Sequence, residues 1–263
     1  MARDFDGTDD TIAYTLNAAQ TSLTQISISA WVYPDAVAQF KGFISWGGAF
    51  PNTQIQINFD DGLNGWVFFQ DWSLTNGVWY VAKPSTGAWT HIVVTYDGSS
   101  TSNDPVFYRD GTLTTPTEST APTGTINNTS TTFNLGSVGS GDYFNGRIAE
   151  VGVWNRVLTE GEALQLADAY SPLFIPRGLV MYVPLIGKLT DEYDRIKGTT
   201  GTITGTAAIS HPRIIYPAYL QARRFTTAAG GSAIKTIDGL AKASVKTVNG
   251  LAIASVKTVN GLA

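Results

Sequence analysis

Short apolar runs with a period of two fill the first two thirds of the chain. In "ISISAWVYP", Ile26, Ile28, Ala30 and Val32 alternate with Ser27, Ser29, Trp31 and Tyr33. That alternation predicts a strand with one face on a core. Trp31 and Tyr33 on the second face imply either that both faces are covered or that one lines a groove. Comparable runs follow: "GFISW", "TQIQINF", "GWVFFQ", "VWYVAK", "WTHIVVTYD", "VFYRDG", "TTFNLGS" and "GRIAEVGVWN". Between them stand Asp61-Gly62, Asn64-Gly65, Asn76-Gly77, Asp97-Gly98 and Asp110-Gly111. Such pairs suit tight hairpins, whose central residues need φ > 0. Many short strands at this spacing predict a sandwich or barrel. One helix is predicted, in "LTEGEALQLADAY". Thr159 and Glu162 form a capping-box pattern, Ala163, Leu164, Leu166 and Ala167 make one apolar stripe, and Pro172 is expected to end it.

The last residues follow a different pattern. An eleven-residue unit runs from Lys235 to Val245, again from Lys246 to Val256, and partially from Lys257 to Ala263. An eleven-residue apolar period could mean a right-handed helical supercoil. Each unit, however, carries a glycine, costing about 1 kcal/mol in a helix, and several β-branched residues. Asp238-Gly239, Asn249-Gly250 and Asn260-Gly261 read better as turns, with "LAIASVKTV" (251–259) as one strand. Little in this meander can be buried, so partners are expected to order it, through strand addition or intertwining.

Composition narrows the classes. At 263 residues the chain has room for one large all-β domain or two small ones. With 43% hydrophobic and 14% charged residues a core can form. The absence of cysteine excludes a disulfide scaffold and thiolate metal sites. No apolar run approaches the roughly 20 residues of a membrane span, and neither membrane insertion nor a nucleic-acid partner is expected. The opening "MARDFDGTDD" has no basic region or apolar stretch of a secretory signal. Charge is split: residues 1–171 carry six Lys/Arg against 17 Asp/Glu, residues 172–263 eleven against four. An acidic body with a basic tail suits an assembly protein that docks onto an acidic surface.

The segments "FDGTDDTIAY", "ISISAWVYP", "WTHIVVTYDG", "FYRDGTL" and "FNGRIAEVGVWNRVLTEGEALQLA" together resemble a laminin-G-like, concanavalin-A-like jelly roll over roughly residues 2–170. The resemblance implies an all-β fold, an antiparallel β-sandwich with one concave and one convex sheet. In this family a segment like "GLVMYVPLIGKLTDEYDRIKGTTGTITGT" usually precedes the "FDG" strand. Here it follows, at 178–206. A permuted jelly roll over 1–216 is expected, with 178–210 supplying the strand usually found first. The alternative is that 178–206 begins a truncated second module. A linker and repeat arm would occupy 217–263.

Candidate chemistry is sparse. Relatives that hydrolyse glycans carry carboxylates spaced as E-x-D-x-(x)-E on one strand, and no such triplet occurs here. Glu150 sits among apolar neighbours, and catalysis needs two carboxylates about 5–10 Å apart. The expectation is therefore no enzyme and no catalytic residue. His91 falls where the family has a structural strand histidine. No cofactor is required. Several relatives carry calcium, and the oxygen donors for such a structural ion would be Asp6, Asp9 and Asp10 with Glu150. For glycan binding, "NGWVFFQDWSLTNGVWYVAK" is rich in aromatics. Alternation sets Trp66 and Phe68 on one face and Val67 and Phe69 on the other, which makes most of them core residues. Trp66, Trp72 and Trp79 are the candidate contacts, with Trp72 and Trp79, near turns, the better placed.

Repeats such as "SVKTVNGLA" after a laminin-G-like domain, and the junction "HPRIIYPA", resemble phage and prophage structural proteins. The resemblance implies a virion protein made in the host cytoplasm, with capsid decoration as the first location and tail or fibre as the second. Its partners would be other virion proteins, capsid or tail, and itself. Arg223, Arg224, Lys235, Lys242, Lys246 and Lys257 of the arm are expected to face an acidic surface. The rival reading is a lectin-like module that attaches to host-surface glycans.

Overall fold

The computed structural model describes residues 2–37, 41–47, 53–60, 62–139, 141–186, 191–211 and 213–217, and four two-residue strands beyond them. The chain divides into two compact units, Met1–Pro217 and Ala218–Ala263.

The first unit is a sandwich of two antiparallel sheets, its strands numbered in chain order. The first sheet runs β10 (Thr112–Thr114), β9 (Val106–Arg109), β8 (Thr90–Asp97), β3 (Gln25–Pro34), β13 (Asn145–Trp154), β1 (Ala2–Asp6) and β17 (Ala207–Ile209). A further strand, β14 (Leu179–Val183), pairs with the second half of β13. The second sheet runs β11 (Thr117–Thr120), β7 (Gly77–Ala82), β6 (Gly65–Gln70), β5 (Thr53–Asp60), β4 (Gly42–Gly47), β12 (Thr132–Leu135), β2 (Thr11–Thr15), β16 (Thr200–Thr204) and β15 (Asp191–Tyr193).

The period of two decides what lies between the sheets. Ile28 and Val32 of β3, Ile57 and Phe59 of β5, Trp66 and Phe68 of β6 and Phe107 of β9 all enter one buried core. Removing that much apolar surface from water is the main term holding the sheets together. The outer face of the first sheet has a second cover. The helix α1 (Glu160–Ala167) packs there with Trp154, Leu158, Tyr108 and Val93. The second face of β3 is accordingly covered over much of its length. Ser27 Oγ donates to the Arg156 carbonyl at 2.7 Å, and the Trp31 ring packs at a tilt against His91 with ring centroids 5.1 Å apart.

The capping box forms as expected: Glu162 N donates to Thr159 Oγ1, and Thr159 N donates to Glu162 Oε2 at 2.9 Å. The helix stops at Ala167, well before Pro172. Ala169 takes a left-handed conformation (φ 64°), and Pro172 instead opens a short 3₁₀ turn, Pro172–Phe174.

The segment after the helix is woven into both sheets. β14 pairs with β13 (Val151↔Val183) in line with β1, which pairs with the other half of the same strand (Arg3↔Ile148). β16 lies against β2 (Ile203↔Ile12), and β17 extends the first sheet beyond β1. Arg3 Nε donates to Glu192 Oε1 at 2.8 Å, both side chains buried, so first strand and late segment share an ion pair.

In the second unit two hairpins are described. β18 (Thr236–Ile237) pairs with β19 (Leu240–Ala241), and β20 (Thr247–Val248) pairs with β21 (Leu251–Ala252). Their spacing is the eleven residues of the repeat. Arg223, Arg224, Lys235, Lys242, Lys246 and Lys257 lie outside the described residues, as do the rest of the run 253–259 and the third copy.

Candidate ligand groove

A wide open site lies on the outer face of the second sheet, over β5, β6 and β7. Alternation places it. Where Ile55, Ile57 and Phe59 point inward, Gln56, Asn58 and Asp60 point outward. The register then aligns two rows. Gln56 pairs with Phe69, and Phe69 with Val78; Asn58 pairs with Val67, and Val67 with Tyr80. A volume of about 410 Å³ opens above these side chains.

One wall is the loop after β12. Val138 and Asp142 project from it into the groove. The loop seats there because β4 begins with Gly42, paired beside Asn58. A Cβ at Gly42 would stand 2.0 Å from Val138 Cγ1, so only glycine admits this approach. Ser45 Oγ donates to the Ser137 carbonyl at 2.9 Å, and Lys41 Nζ donates to the Gly141 carbonyl at 2.8 Å, fixing the loop from both sides.

The floor combines apolar and polar chemistry. Phe69, Val67, Val78 and Val138 give a ring face and branched carbons, and Gln56, Asn58, Asp60 and Asp142 give amides and carboxylates. Asn58 is 3% exposed, and its Oδ1 has no hydrogen-bond partner among the described residues. Leaving such an atom unpaired costs about 1–3 kcal/mol, a cost that a ligand's donor would remove. Asp60 Oδ1 accepts from Gly62 N (2.7 Å) and Leu63 N, which holds the turn at the groove's end. A few polar groups converging on an apolar floor is the composition of a small-molecule site.

The tryptophans named from the sequence are not in it. Trp66 (0% exposed) and Trp79 (0%) belong to the inter-sheet core, and Trp72 (5%) is buried against Ile126. Trp79 shares the inward phase of Val81, and its Nε1 donates to Asp104 Oδ1 at 2.8 Å under the loop after β8. Gly77 leaves room for its ring, which would stand 2.2 Å from a Cβ at that position. Proximity to a turn did not expose Trp72, because residues 123–127 close over that turn. The groove residues Gln56, Asn58, Phe69 and Asp142 were missed. The signal was available for Phe69, since alternation set it opposite Trp66 and Phe68.

The acidic candidates separate into two places. Asp6, Asp9 and Asp10 gather, their carboxylate oxygens within 4.8 Å of one another. That spacing matches oxygens on opposite sides of a calcium ion, ligated at about 2.4 Å each. Asp10 Oδ2 also accepts from Asp6 N at 2.9 Å, and burial, opposed by backbone hydrogen bonds, raises the Asp10 carboxyl above its usual range. Glu150 does not join them. Asp6 pairs with Asn145, five residues along β13 from Glu150, about 16 Å at the strand rise. A β-bulge between Ala149 and Gly152 gives Glu150 a φ of 54°. Its carboxylate accepts from Tyr182 Oη (2.6 Å) and Tyr216 Oη (2.7 Å), with His211 Nε2 3.9 Å away. Burial pushes the Glu150 carboxyl up to about 7, against the pull of the two tyrosine hydrogen bonds and the amino terminus. His91 is buried beside Ser29 Oγ (2.9 Å), and desolvation pushes its imidazole down to about 3. It is a neutral structural residue, enclosed on all sides.

Residues 6–163 match the Concanavalin A-like lectin/glucanases superfamily, and the chain belongs to it. The class is thus a lectin-type jelly roll. Among solved structures, a candidate carbohydrate-binding protein from Bacteroides ovatus is similar over 78% of this chain, with 18% identity and a TM-score of 0.56. The chain spans 58% of that protein's length. A native heptameric SAP-like pentraxin from Limulus polyphemus is similar over 77% of this chain and 94% of its own, with 13% identity and a TM-score of 0.49. Domain 4 of an extracellular arabinanase from Geobacillus stearothermophilus, solved with arabinotriose, covers 63% of this chain and 76% of its own, at 21% identity and a TM-score of 0.42. At these identities the likeness is one of fold. No curated protein matches the sequence. Among the described residues, no helix is long and apolar enough to cross a membrane.

Proposed function

We propose that residues 1–217 form a non-catalytic carbohydrate-binding module whose ligand lies in the groove over β5, β6 and β7. The observation that carries this reading is the buried Asn58 Oδ1, unpartnered among the described residues, on the same groove face as the Phe69 ring and one pair along from it. A sugar offers hydroxyl donors to the first and a C–H face to the second. Membership of a lectin-type superfamily supports it, and so does the fold shared with the Bacteroides ovatus protein. Binding of the isolated 1–217 body to a glycan array tests it. Hits that Asn58→Leu removes are expected; no hit across broad classes would sink the reading.

The eleven-residue hairpin repeat favours a second, compatible role. The whole protein would be a virion structural component, a capsid decoration protein or, failing that, part of a tail or fibre. The jelly roll is displayed outward, and the basic arm holds it to neighbouring subunits. Wild-type incorporation into particles after deletion of 232–263 would refute this. A structural calcium would be held by Asp6, Asp9 and Asp10, whose oxygens fit it. A rise in Tm in millimolar calcium, lost in Asp9→Asn, is the expected result, and identical melts in calcium and chelator would exclude the ion.

A further inference from the structure

The groove has a one-sided electrostatic character. We infer that it takes neutral, hydroxyl-rich oligosaccharides and excludes anionic ones, the carboxylated, sulfated or sialylated sugars. This rests on the carbohydrate-binding reading above and narrows it to a ligand class.

Three observations carry it. The charged side chains lining the groove are Asp60 and Asp142, both acidic; no Lys, Arg or His lines it among the described residues. Lys41 is not in the lining, and its ammonium is directed to the Gly141 carbonyl at 2.8 Å. An anionic sugar would therefore be desolvated opposite two carboxylates with no counter-charge in the lining, the arrangement that disfavours burial most strongly. The surrounding unit deepens the effect, with eleven Lys/Arg against 20 Asp/Glu over residues 1–217.

The hydrogen-bond inventory points the same way. Asn58 Oδ1, the Gln56 amide oxygen and the Asp60 and Asp142 carboxylates are acceptors, so acceptors outnumber the amide donors. Sugar hydroxyls bring protons to such a floor; carboxylate and sulfate groups bring only more lone pairs. Phe69, flanked by Gln56 on one strand and Val78 on the other, gives the flat contact for a pyranose or furanose C–H face.

The test is calorimetric titration of the full chain with neutral hexasaccharides (gluco-, xylo-, manno- and arabino-) and with hexagalacturonate and a heparin hexasaccharide. Binding to at least one neutral series and none to the anionic pair is expected. Asn58→Leu should weaken the neutral ligand at least tenfold. Asp142→Asn, which removes one carboxylate and keeps the shape of the wall, should allow measurable hexagalacturonate binding. Anionic binding to the wild type that Asn58→Leu abolishes would overturn the inference while leaving the carbohydrate reading intact. Anionic binding that Asn58→Leu leaves unchanged, with no neutral ligand bound, would overturn both. Silence from every oligosaccharide in a folded protein would do the same.

Discussion

The Tyr216 hydroxyl donates to Glu150 Oε1 at 2.7 Å, tying the end of the jelly-roll body to β13, an interior strand of its first sheet. Tyr182, on the neighbouring strand, donates to the other oxygen at 2.6 Å. Both contacts depend on the bulge that turns Glu150 out of phase with Ile148 and Val151, which point into the core. Short hydroxyl-to-carboxylate distances favour the ionised acid, while burial favours the neutral one.

Stability should follow pH through this residue. The folded-state value is about 7, above the ordinary 4.5, so the native state holds the proton more tightly than the unfolded chain. The contribution is complete below about pH 4.5 and is lost as pH rises to about 7. Facing groups are Tyr182, Tyr216 and His211, with Arg195 acting on Tyr216 and the amino-terminal charge opposing the rise. Thermal melts from pH 4.5 to 8 should show a fall in wild-type Tm that Glu150→Gln flattens. His211→Gln should retain the fall; if it flattens the curve instead, the histidine is the titrating group.

Core and groove aromatics should behave oppositely. Trp66→Ala removes a fully buried ring and should cost about 3–5 kcal/mol, read from urea melts. Phe69→Ala, on the outer face, should cost under about 1.5 kcal/mol yet weaken the ligand at least tenfold, about 1.4 kcal/mol. Equal losses of binding in both variants at matched folded fraction would contradict the placement of the groove.

The strands and the helix cap could be read along the chain, because each depends on neighbours two to four residues away. So could the inward phase of Trp66 and Phe68. The groove could not, because its parts meet only through register: Gly42 admits Val138, and Asn58 sits between them and Val67. Trp72 and Trp79 misled for the same reason. Nothing local in their sequence announces residues 123–127 or Asp104, which enclose them. Glu150 does not reach the Asp6 loop, because a single bulge together with five residues of register separates them.

The Arg3–Glu192 pair makes the late segment part of the body. Arg3→Met removes the guanidinium that faces Glu192 in a buried site, and about 3–5 kcal/mol of stability should be lost. The double variant Arg3→Met/Glu192→Leu should recover most of it. Truncation after residue 177 removes β14 to β17 and should leave a chain that does not melt cooperatively. A cooperative melt of 1–177 would mean that those strands are accessory.

The arm poses the remaining question of assembly. Each described hairpin pairs only two residues per strand, Thr236–Ile237 with Leu240–Ala241 and Thr247–Val248 with Leu251–Ala252. An isolated two-stranded hairpin is marginal in water even when it is longer. Similar units at a fixed spacing gain stability by stacking on one another or on copies from other chains, and open strand edges supply the means. Light scattering of the full chain and of 1–217 separates these cases. A defined oligomer for the first and a folded monomer for the second is the expected result, which makes the arm a self-association element. Monomers in both would leave the hairpins dependent on a different protein, and capsid or tail subunits would then be the partners to add. An oligomer that survives the truncation would move the contact onto the sandwich itself and remove the arm's proposed role in self-association.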